Sequence, residues 1–384
     1  MAMTSRRTIL TGAAALAMAP RAWAQTRTLY WPTATDWATN DPKAAGFDPA
    51  RLDAAVKATI ADNSTSCLVL RDGKIISEAY GTGGGRGVLR EIASAGKSMV
   101  STLTGCCLDE GKIKSLDQSA ADFFPQWKGT PKEAITVKHL ISMTSGLDDN
   151  GLAVRNVMGD QEAINAAARQ LNPPGTQWHY NTPVYHLMFH LVARAAGEPF
   201  EVYAKRKLLD PLGMKETTWL TNKGHDATGK EVTNYYTANC SARDLARFGM
   251  MALGGGAFDG RRVVSATYLK AATSPSQTLN GSYGYLWWEN AKPGRAAAAG
   301  AATAPPRYLF SGAPADTFAA LGALGQNVVV LPTQGIVIVR QGGAAAAGGP
   351  ANVAQMTAAV VAAMDAPPEV VRNQGPEPVS RPAG

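Results

Sequence analysis

The sequence predicts an α/β fold in which one antiparallel sheet is built from the N- and C-terminal segments, is flanked by helices and carries an inserted, mostly helical domain. Apolar runs of strand length lie near both ends of the 384-residue chain, at 67–76 and 326–340. Helical periodicity dominates the stretch between about 116 and 255. If the terminal strands share one sheet, the helical stretch is an insertion, and the groove between the two parts is the default site.

The first 24 residues have the features of a twin-arginine signal peptide. Ser-Arg-Arg at 5–7 precedes an Ala-, Leu- and Met-rich segment, and Ala-Trp-Ala at 22–24 offers a small-x-small cleavage site. The apolar segment is too short to span a membrane and is broken by Pro20 and Arg21, so no stable membrane anchor is expected. We expect a periplasmic or secreted protein, exported by the twin-arginine route, with a mature start near Gln25.

The rest of the chain divides by composition and periodicity. We expect an extension at 25–45, an α/β domain made of 46–115 and 256–365, a helical domain at 116–255, and a Pro-rich tail at 366–384 that is disordered. With 45% hydrophobic and 17% charged residues, the chain can bury a large core.

The charge and cysteine counts limit the partners and the redox chemistry. The formal charge is +7, and loss of the signal peptide with its three arginines and no acid leaves +4, which is 7 minus 3. No basic stripe interleaved with aromatic residues occurs, so nucleic acid is not an expected partner. The four cysteines look like small buried side chains, and we expect free thiols although the compartment would allow pairing.

The α/β domain begins with a helix and a hairpin. Asp48 and Pro49 form an N-cap and a first-turn proline, and they lead an apolar face with a helical period. Runs at 67–70 and 74–76 are joined through Asp72-Gly73, which is a hairpin signal. The glycines between 81 and 87 lack the spacing of a phosphate-binding loop and indicate a connection to the next helix.

Helical patterns then follow at 117–124, 136–143, 160–171 and 184–196. His186 and His190 have the spacing of a zinc-binding pair, but no glutamate follows the first and no further ligand is in sight. We therefore expect neither a metal nor another cofactor. The strand pattern returns at 283–288, 326–331 and 335–340, separated by an Ala-, Gly- and Pro-rich insert at 296–306, and a helix over 353–364 ends the domain.

Ser94 and Lys97 form the one candidate nucleophile and base. They lie three residues apart at the start of an apolar helix, which places both side chains on one face. A serine attacks only when a neighbour takes its proton, and a lysine can do so when burial lowers its pKa. A Ser and a Lys at this spacing occur by chance about once in a chain of this length, so the pair alone does not identify an enzyme.

Further segments, in order along the chain, resemble the serine β-lactamase and penicillin-binding-protein superfamily. The chain is similar to its class C-related branch, which holds esterases, D-aminopeptidases and 6-aminohexanoate-oligomer hydrolases. The resemblance implies a β-lactamase/transpeptidase-like fold. Beside Ser-x-x-Lys at 94–97, it rests on Ile-Thr-Val-Lys-His-Leu at 135–140, Met-Thr-Ser-Gly-Leu at 143–147, Pro-Gly-Thr at 174–176, Leu-Asp-Pro-Leu-Gly-Met at 209–214 and Ser-Ala-Arg-Asp-Leu-Ala at 241–246.

The resemblance implies catalytic roles for three residues. Ser94 would be the nucleophile that an ester or amide substrate acylates, and Lys97 the base that takes its proton. Tyr180 takes the place of the tyrosine in the family's Tyr-x-Asn motif and would pass a proton to the leaving group. Without that resemblance, Tyr180 would be interpreted as an ordinary half-buried tyrosine.

The chain departs from the family pattern at two places. Asn181 and Thr182 follow Tyr180, so a threonine stands where the motif has asparagine, and Asn181 would compensate only after a small backbone shift. On the strand that carries Lys-Thr-Gly or His-x-Gly, we align Ala323 with the cation. The resemblance then leaves Gly325 and Gln326 for oxyanion and substrate binding, with the N–H of Gln326 acting beside that of Ser94.

Loss of the cation favours neutral esters or amides over substrates with a free carboxylate. Trp287 and Trp288 are candidate walls for an apolar acyl pocket, although tryptophans on strands are at least as often core residues. Two alternatives stay open, a binding protein of the same fold with little or no turnover and a true β-lactamase. A Ser-His-Asp hydrolase is disfavoured because no Gly-x-Ser-x-Gly occurs and no histidine follows His225.

Overall fold

The computed structural model describes residues 27–33, 35–149, 159–294, 305–343 and 350–374. The predicted signal peptide, most of the Ala/Gly/Pro insert and the tail beyond residue 374 lie outside these ranges.

A six-stranded antiparallel sheet forms the centre of the α/β part, in the order β2-β1-β11-β10-β9-β8. Its first two strands come from the N-terminal segment and the other four from the C-terminal segment, which confirms the predicted sheet built from both ends. The strands, numbered in chain order, are β1 (Ser64–Arg71), β2 (Lys74–Tyr80), β8 (Trp288–Glu289), β9 (Phe318–Gly322), β10 (Gln326–Leu331) and β11 (Ile336–Gly342).

Helices cover both faces of this sheet. On β11, Val337 faces Gly249 of α8 (Ala242–Leu253), where a Cβ would lie 2.6 Å from a Val337 methyl carbon. Arg340 is an odd number of residues further on and therefore points to the opposite face. There its guanidinium binds Asp62, at the end of α1 (Pro49–Ala61), with a 2.9 Å contact. Helix α10 (Pro350–Ala362) packs against α1.

The predicted hairpin and first helix are confirmed at their ends. The Asp48 side chain accepts hydrogen bonds from the N–H groups of Ala50 and Arg51, so it is the N-cap of α1. The turn Asp72-Gly73 joins β1 and β2, and both residues have positive φ values of 48° and 89°. All four cysteines are unpaired and buried, as predicted.

The inserted part is less helical than predicted. A hairpin of β4 (Thr218–His225) and β5 (Glu231–Cys240) pairs with β3 (Arg90–Glu91) in a second, three-stranded sheet. The β-branched and aromatic side chains of β5 favour a strand, a signal that the helical interpretation missed. The other short elements are α3 (Val137–Ile141), α4 (Gln161–Ala166), α5 (Thr182–Ala196), α6 (Phe200–Ala204), a π-helical turn (Lys205–Leu209), α7 (Asp210–Leu212), β6 (Ala257–Phe258), β7 (Arg261–Arg262) and α9 (Ala266–Ala272).

Three predicted boundaries need correction. Helix α8 packs on β10 and β11, so the α/β part resumes before residue 256. The strand predicted at 283–288 is mostly a turn, because Leu286 has φ 59° and its N–H binds the Ile141 carbonyl. The tail is ordered as far as it is described, since Val371 exchanges backbone hydrogen bonds with the 312–313 segment.

The N-terminal extension packs against α8 and the turn between β1 and β2. The Arg247 guanidinium donates to the carbonyl of Pro32 and stands over the ring of Trp37 at 5.1 Å. The Trp37 indole N–H in turn donates to the Gly73 carbonyl at 2.8 Å. Among the described residues, no helix combines the length and the apolar character needed to cross a membrane.

Candidate active site

Ser94 lies in a tight turn that leads into α2 (Gly96–Asp109). The turn is a 3₁₀ segment, Ala93–Ala95, and Ala93 adopts φ 46°, an uncommon value for a residue with a Cβ. The Ala93 carbonyl accepts a 2.6 Å hydrogen bond from Thr237 on β5, which helps to hold the turn. Ser94 therefore stands in the first turn of the helix, where backbone N–H groups have no intrahelical partner.

Lys97 is one turn further along and shares a face with Ser94. Its Nζ lies 3.1 Å from Ser94 Oγ and 3.4 Å from Thr182 Oγ1. The residue is only 2% exposed, and burial lowers the pKa of the amine to about 7. At neutral pH a substantial fraction of Lys97 is thus unprotonated and able to accept a proton from the serine.

Tyr180 is the third residue of this group. Lys97 Nζ lies 4.8 Å from its ring centroid. Burial raises the pKa of Tyr180 to about 12, an effect that the nearby Ser94 side chain opposes. The phenol is therefore protonated at neutral pH and can donate a proton.

The structure assigns separate tasks to Asn181 and Thr182. The Asn181 side chain is buried, accepts from the Val184 N–H at 3.0 Å and donates to the Leu147 carbonyl at 2.9 Å. Asn181 is thus the N-cap of α5, and the suggestion that it compensates for the missing asparagine is wrong. Thr182 occupies that place and contacts Lys97 through its hydroxyl.

The end of β9 lies directly against the Ser94 turn. A Cβ at Gly322 would come within 2.2 Å of the Ile92 carbonyl oxygen and 3.1 Å of the Ala95 nitrogen, so only glycine fits. Side chains two residues apart share a strand face, which places Ala320 on the same face as Gly322. Ala323 is an exposed residue of the turn after β9, so the alignment of Ala323 with the family's cation is wrong. The position on the site face is Ala320, which also carries no charge.

Gly325 points away from the Ser94 turn, whereas Gln326 lies on the face of Gly322, since a Cβ at Gly322 would come within 3.0 Å of Gln326 Cβ. A Cβ at Gly325 would lie 3.0 Å from the Arg340 guanidinium carbon, on the side of the sheet covered by α1. Gln326 begins β10, pairs with Gly322, and donates from its side chain to the Gly342 carbonyl at 3.0 Å. Because β10 is flanked by β9 and β11, its peptide groups lie inside the sheet and not at the edge that faces Ser94.

Trp287 belongs to the core and Trp288 to the site. Trp287 is fully buried and stacks on Phe248 with a centroid separation of 5.4 Å. Neighbouring residues of a strand point to opposite faces, so Trp288 faces the other way. Its ring stacks on Tyr180 at 5.6 Å, and this is the tryptophan that walls the site.

The wall beside the nucleophile is aromatic. Tyr283 meets Tyr180 edge-on at 6.1 Å and Trp288 at 4.7 Å, and Trp178 meets Tyr283 at 5.5 Å. Such a wall binds apolar groups and offers no charge to a carboxylate.

The sequence interpretation missed Tyr185, Tyr283, Trp178 and Gly322, and it named Trp288 only together with Trp287. Tyr185 carried a usable signal, because it follows Thr182 by three residues on a helix and must share its face. Its ring lies 4.4 Å from Lys97 Nζ. Tyr283 and Trp288 reach Tyr180 only through the fold, with the turn at Leu286 between them, and Gly322 reaches the Ser94 turn through the end of β9.

Within the described ranges, no group of three or more His, Cys, Asp or Glu side chains is arranged to hold a metal ion. His190 instead contacts Glu162, with 3.0 Å between Nδ1 and Oε2.

Known proteins share this architecture. A family model described as Beta-lactamase matches residues 52–342. The chain is 31% identical to a beta-lactamase of Pseudomonas fluorescens over 157 residues, which cover 38% of this chain and 42% of the relative. It is 25% identical to the 6-aminohexanoate-dimer hydrolase of Paenarthrobacter ureafaciens over 251 residues, 58% of this chain and 63% of that protein.

The matched regions span about half the length of these two relatives. The crystal structure of the D-alanine carboxypeptidase AmpC from Burkholderia cenocepacia superposes with a TM-score of 0.61 and 20% identity. That superposition covers 83% of this chain and 100% of the other, and it supports the fold.

Proposed function

Because this chain belongs to the beta-lactamase family, we propose that it is a serine hydrolase that cleaves a small, neutral ester or amide through an acyl-enzyme on Ser94. The observation that carries the proposal is the 3.1 Å contact between Ser94 Oγ and the buried amine of Lys97. A lysine buried without a charged partner is costly, and a binding protein without turnover has no evident use for it.

Acylation uses the three side chains in sequence. The Lys97 amine takes the Ser94 proton while Oγ attacks the substrate carbonyl carbon, and a tetrahedral oxyanion forms. The Tyr180 phenol then gives its proton to the leaving amine or alcohol, the carbon–leaving-group bond breaks, and the Lys97 ammonium reprotonates the phenolate. In deacylation, water gives its proton to Lys97 and attacks the acyl carbon, and Ser94 Oγ leaves with that proton.

Backbone N–H groups are the proposed oxyanion donors. Ser94 contributes one from the first turn of α2. The second is the N–H of Ala323, which adjoins Gly322 at the open end of β9 and replaces Gln326 in this role. Each such donor is worth about 10²–10³ in rate.

The walls of the site favour a neutral substrate with an apolar acyl group. Ala320 shares the face of Gly322 and carries no charge, and Trp288, Tyr283 and Trp178 form an aromatic wall beside Tyr180. Among the described residues, none of these positions offers a cation to a carboxylate. This disfavours β-lactams, although one relative is a beta-lactamase.

Labelling and substrate assays test this function. Purified protein is treated with a fluorophosphonate probe and assayed with p-nitrophenyl butyrate, 6-aminohexanoate dimer and nitrocefin. We expect labelling of Ser94 and fastest turnover of the butyrate ester, both lost in Ser94→Ala. Ser98→Ala is the matched control, since Ser98 lies on the same helix and its hydroxyl donates to the Leu286 carbonyl.

Two outcomes would contradict the proposal. Absence of both labelling and turnover would support a binding protein of the same fold. Fastest turnover of nitrocefin would identify a true β-lactamase and refute the argument from Ala320.

We also propose that the protein is exported to the periplasm or the medium through the twin-arginine route. The support is the Ser-Arg-Arg start at 5–7 and the Ala-Trp-Ala site at 22–24.

A further inference from the structure

Lys97 has no carboxylate within ion-pairing distance among the described residues. Its polar contacts are the hydroxyls of Ser94 and Thr182. Once the amine has taken the serine proton, it is a buried ammonium, 2% exposed, with neither an anion nor bulk water to stabilise it. The reaction as proposed therefore needs another source of stabilisation for this cation.

The faces of two aromatic rings supply this stabilisation of the Lys97 ammonium. Lys97 Nζ lies 4.4 Å from the ring centroid of Tyr185 and 4.8 Å from that of Tyr180. Both distances are within the range in which a ring quadrupole attracts a cation, and the attraction is strongest at desolvated sites. Tyr180 is already assigned to proton transfer. Tyr185 is the nearer ring.

The position of Tyr185 is fixed by packing. Its ring is buried on α5 and lies 5.1 Å from that of Phe189, one turn along the helix. Its hydroxyl occupies space that Gly96 leaves open, because a Cβ at Gly96 would come within 3.0 Å of that oxygen and 2.6 Å of Thr237 Oγ1. Because Gly96 has no side chain, the Tyr185 ring can lie next to the Lys97 amine.

We propose that Tyr185 is a positioning residue for the catalytic base, whose ring face holds Lys97 Nζ between Ser94 and Thr182 and stabilises the ammonium formed during acylation. This inference rests on the proposed function, because a catalytic base matters only in a hydrolase. Its central claim concerns the protonation of Lys97, which can be measured without turnover.

Three phenols face this centre, and the imidazole of His186 lies next to Tyr185 with 5.4 Å between the ring centroids. Tyr180 and Tyr185 lie over Lys97, and Tyr283 from the opposite wall packs on Tyr180. The pKa of each is raised by burial, so all three are neutral when Lys97 titrates near pH 7. Because His186 is present in every variant, a difference in the Lys97 titration between variants reports the change in the Tyr185 ring.

Lysine ¹³Cε NMR titration tests the proposal on the full chain, with the Lys97 signal assigned from Lys97→Met. Tyr185 is replaced by phenylalanine and by phenylalanines with one, two and three ring fluorines, which keep the shape and progressively weaken the quadrupole. We expect Phe to leave the Lys97 pKa within about 0.3 units, and trifluorination to lower it by about one unit.

A ring-loss pair provides the control. Tyr185→Leu should lower the Lys97 pKa by about one unit or more, whereas Phe124→Leu, which removes a buried ring that contacts Trp127 and Arg194, should leave it unchanged. If Tyr185→Leu does not fold, the fluorinated series still decides the question. An unchanged titration across that series would refute the proposal, and so would an equal shift in Tyr185→Phe.

Activity distinguishes this inference from the proposed function. If Lys97 responds to fluorination but the wild type neither labels nor turns over ester, the positioning role stands and the hydrolase proposal fails. If ester is hydrolysed and the titration is insensitive to the ring, only the role of Tyr185 fails.

Discussion

At the scale of single residues, the chemistry depends on how much water reaches Lys97. An exposed lysine is fully protonated at neutral pH and cannot take a proton from serine. Here α2, α5 and the Tyr180 segment exclude water from the amine and lower its pKa to about 7. The same enclosure keeps the Tyr180 phenol protonated. Burial thus places an amine that can accept a proton next to a phenol that can donate one.

The pH dependence of kcat/KM should report Lys97. The base must be unprotonated, so activity should rise through about pH 7 and then stay level, because the pKa of Tyr180 lies at about 12. Hydrolysis of p-nitrophenyl butyrate between pH 5 and 10 measures this, after correction for spontaneous hydrolysis. A rate that falls from pH 6 to 8 would remove Lys97 from the role of base.

Lys97→Met should abolish turnover and stabilise the protein. The amine has a pKa of about 7 when folded and 10.5 as a model value, so between these pH values the unfolded chain binds more protons. Wild-type stability should therefore increase from pH 7 to 10, and the variant should lack that slope. At pH 7 we expect a gain of about 2–4 kcal/mol in the free energy of unfolding.

Urea unfolding at pH 7 and pH 9 measures both effects. Circular dichroism serves as the probe, and Ser98→Ala is a control that leaves the buried amine in place. A variant that is less stable than the wild type at pH 7 would show that the contacts of Lys97 with Ser94 and Thr182 outweigh its desolvation.

At the scale of elements, strand alternation decides what the paired tryptophans do. Trp287 stacks on Phe248 in the core, and Trp288 stacks on Tyr180 beside the nucleophile. The strand β8 begins at Trp288 and is only two residues long, and Leu286 turns the chain immediately before Trp287. A shift of one residue would exchange the two side chains.

The two substitutions should therefore have opposite outcomes. Trp287→Leu should destabilise the fold by about 3 kcal/mol while the folded protein keeps its kcat/KM. Trp288→Leu should keep most of the stability and lower kcat/KM for the butyrate ester about tenfold, with a smaller loss for the acetate ester. Thermal unfolding and initial rates on both esters measure the pair. Equal effects of the two changes on rate would argue against the aromatic wall.

At the scale of the whole molecule, the site exists because distant segments meet. Ser94 follows β3, the end of β9 closes on its turn, and Tyr180 enters from the inserted part. The sheet that brings β9 there is assembled from both ends of the chain. The catalytic group therefore forms only when the complete fold forms.

The proposed export can be tested on the full chain. Replacing Arg6 and Arg7 together by lysine should retain the protein in the cytoplasm, because twin-arginine export depends on that pair and the charge is unchanged. Cell fractionation followed by immunoblotting measures the distribution and the size of the mature protein. Normal export of the double variant would refute the twin-arginine route.

Local patterns in the sequence were sufficient to predict three features. These are the sheet built from both termini, the N-cap of the first helix and the proximity of Ser94 to Lys97. Each depends on neighbours a few residues apart, for which helical and strand periods are fixed. Tyr180 came from resemblance to a family. The helical interpretation of 218–240 was wrong although the strand signal is local, since β5 pairs with the adjacent β4 and its β-branched and aromatic residues favour a strand.

Only the tertiary structure decided which member of each adjacent pair serves the site. Thr182 and not Asn181 meets Lys97, and Trp288 and not Trp287 walls the pocket. In the same way, Ala320 of β9 and not Ala323 of the following turn shares the strand face of Gly322. The sequence by itself determined which residue types were available to the reaction, whereas long-range packing determined which faces they occupy, because one residue of register reverses the direction of a side chain.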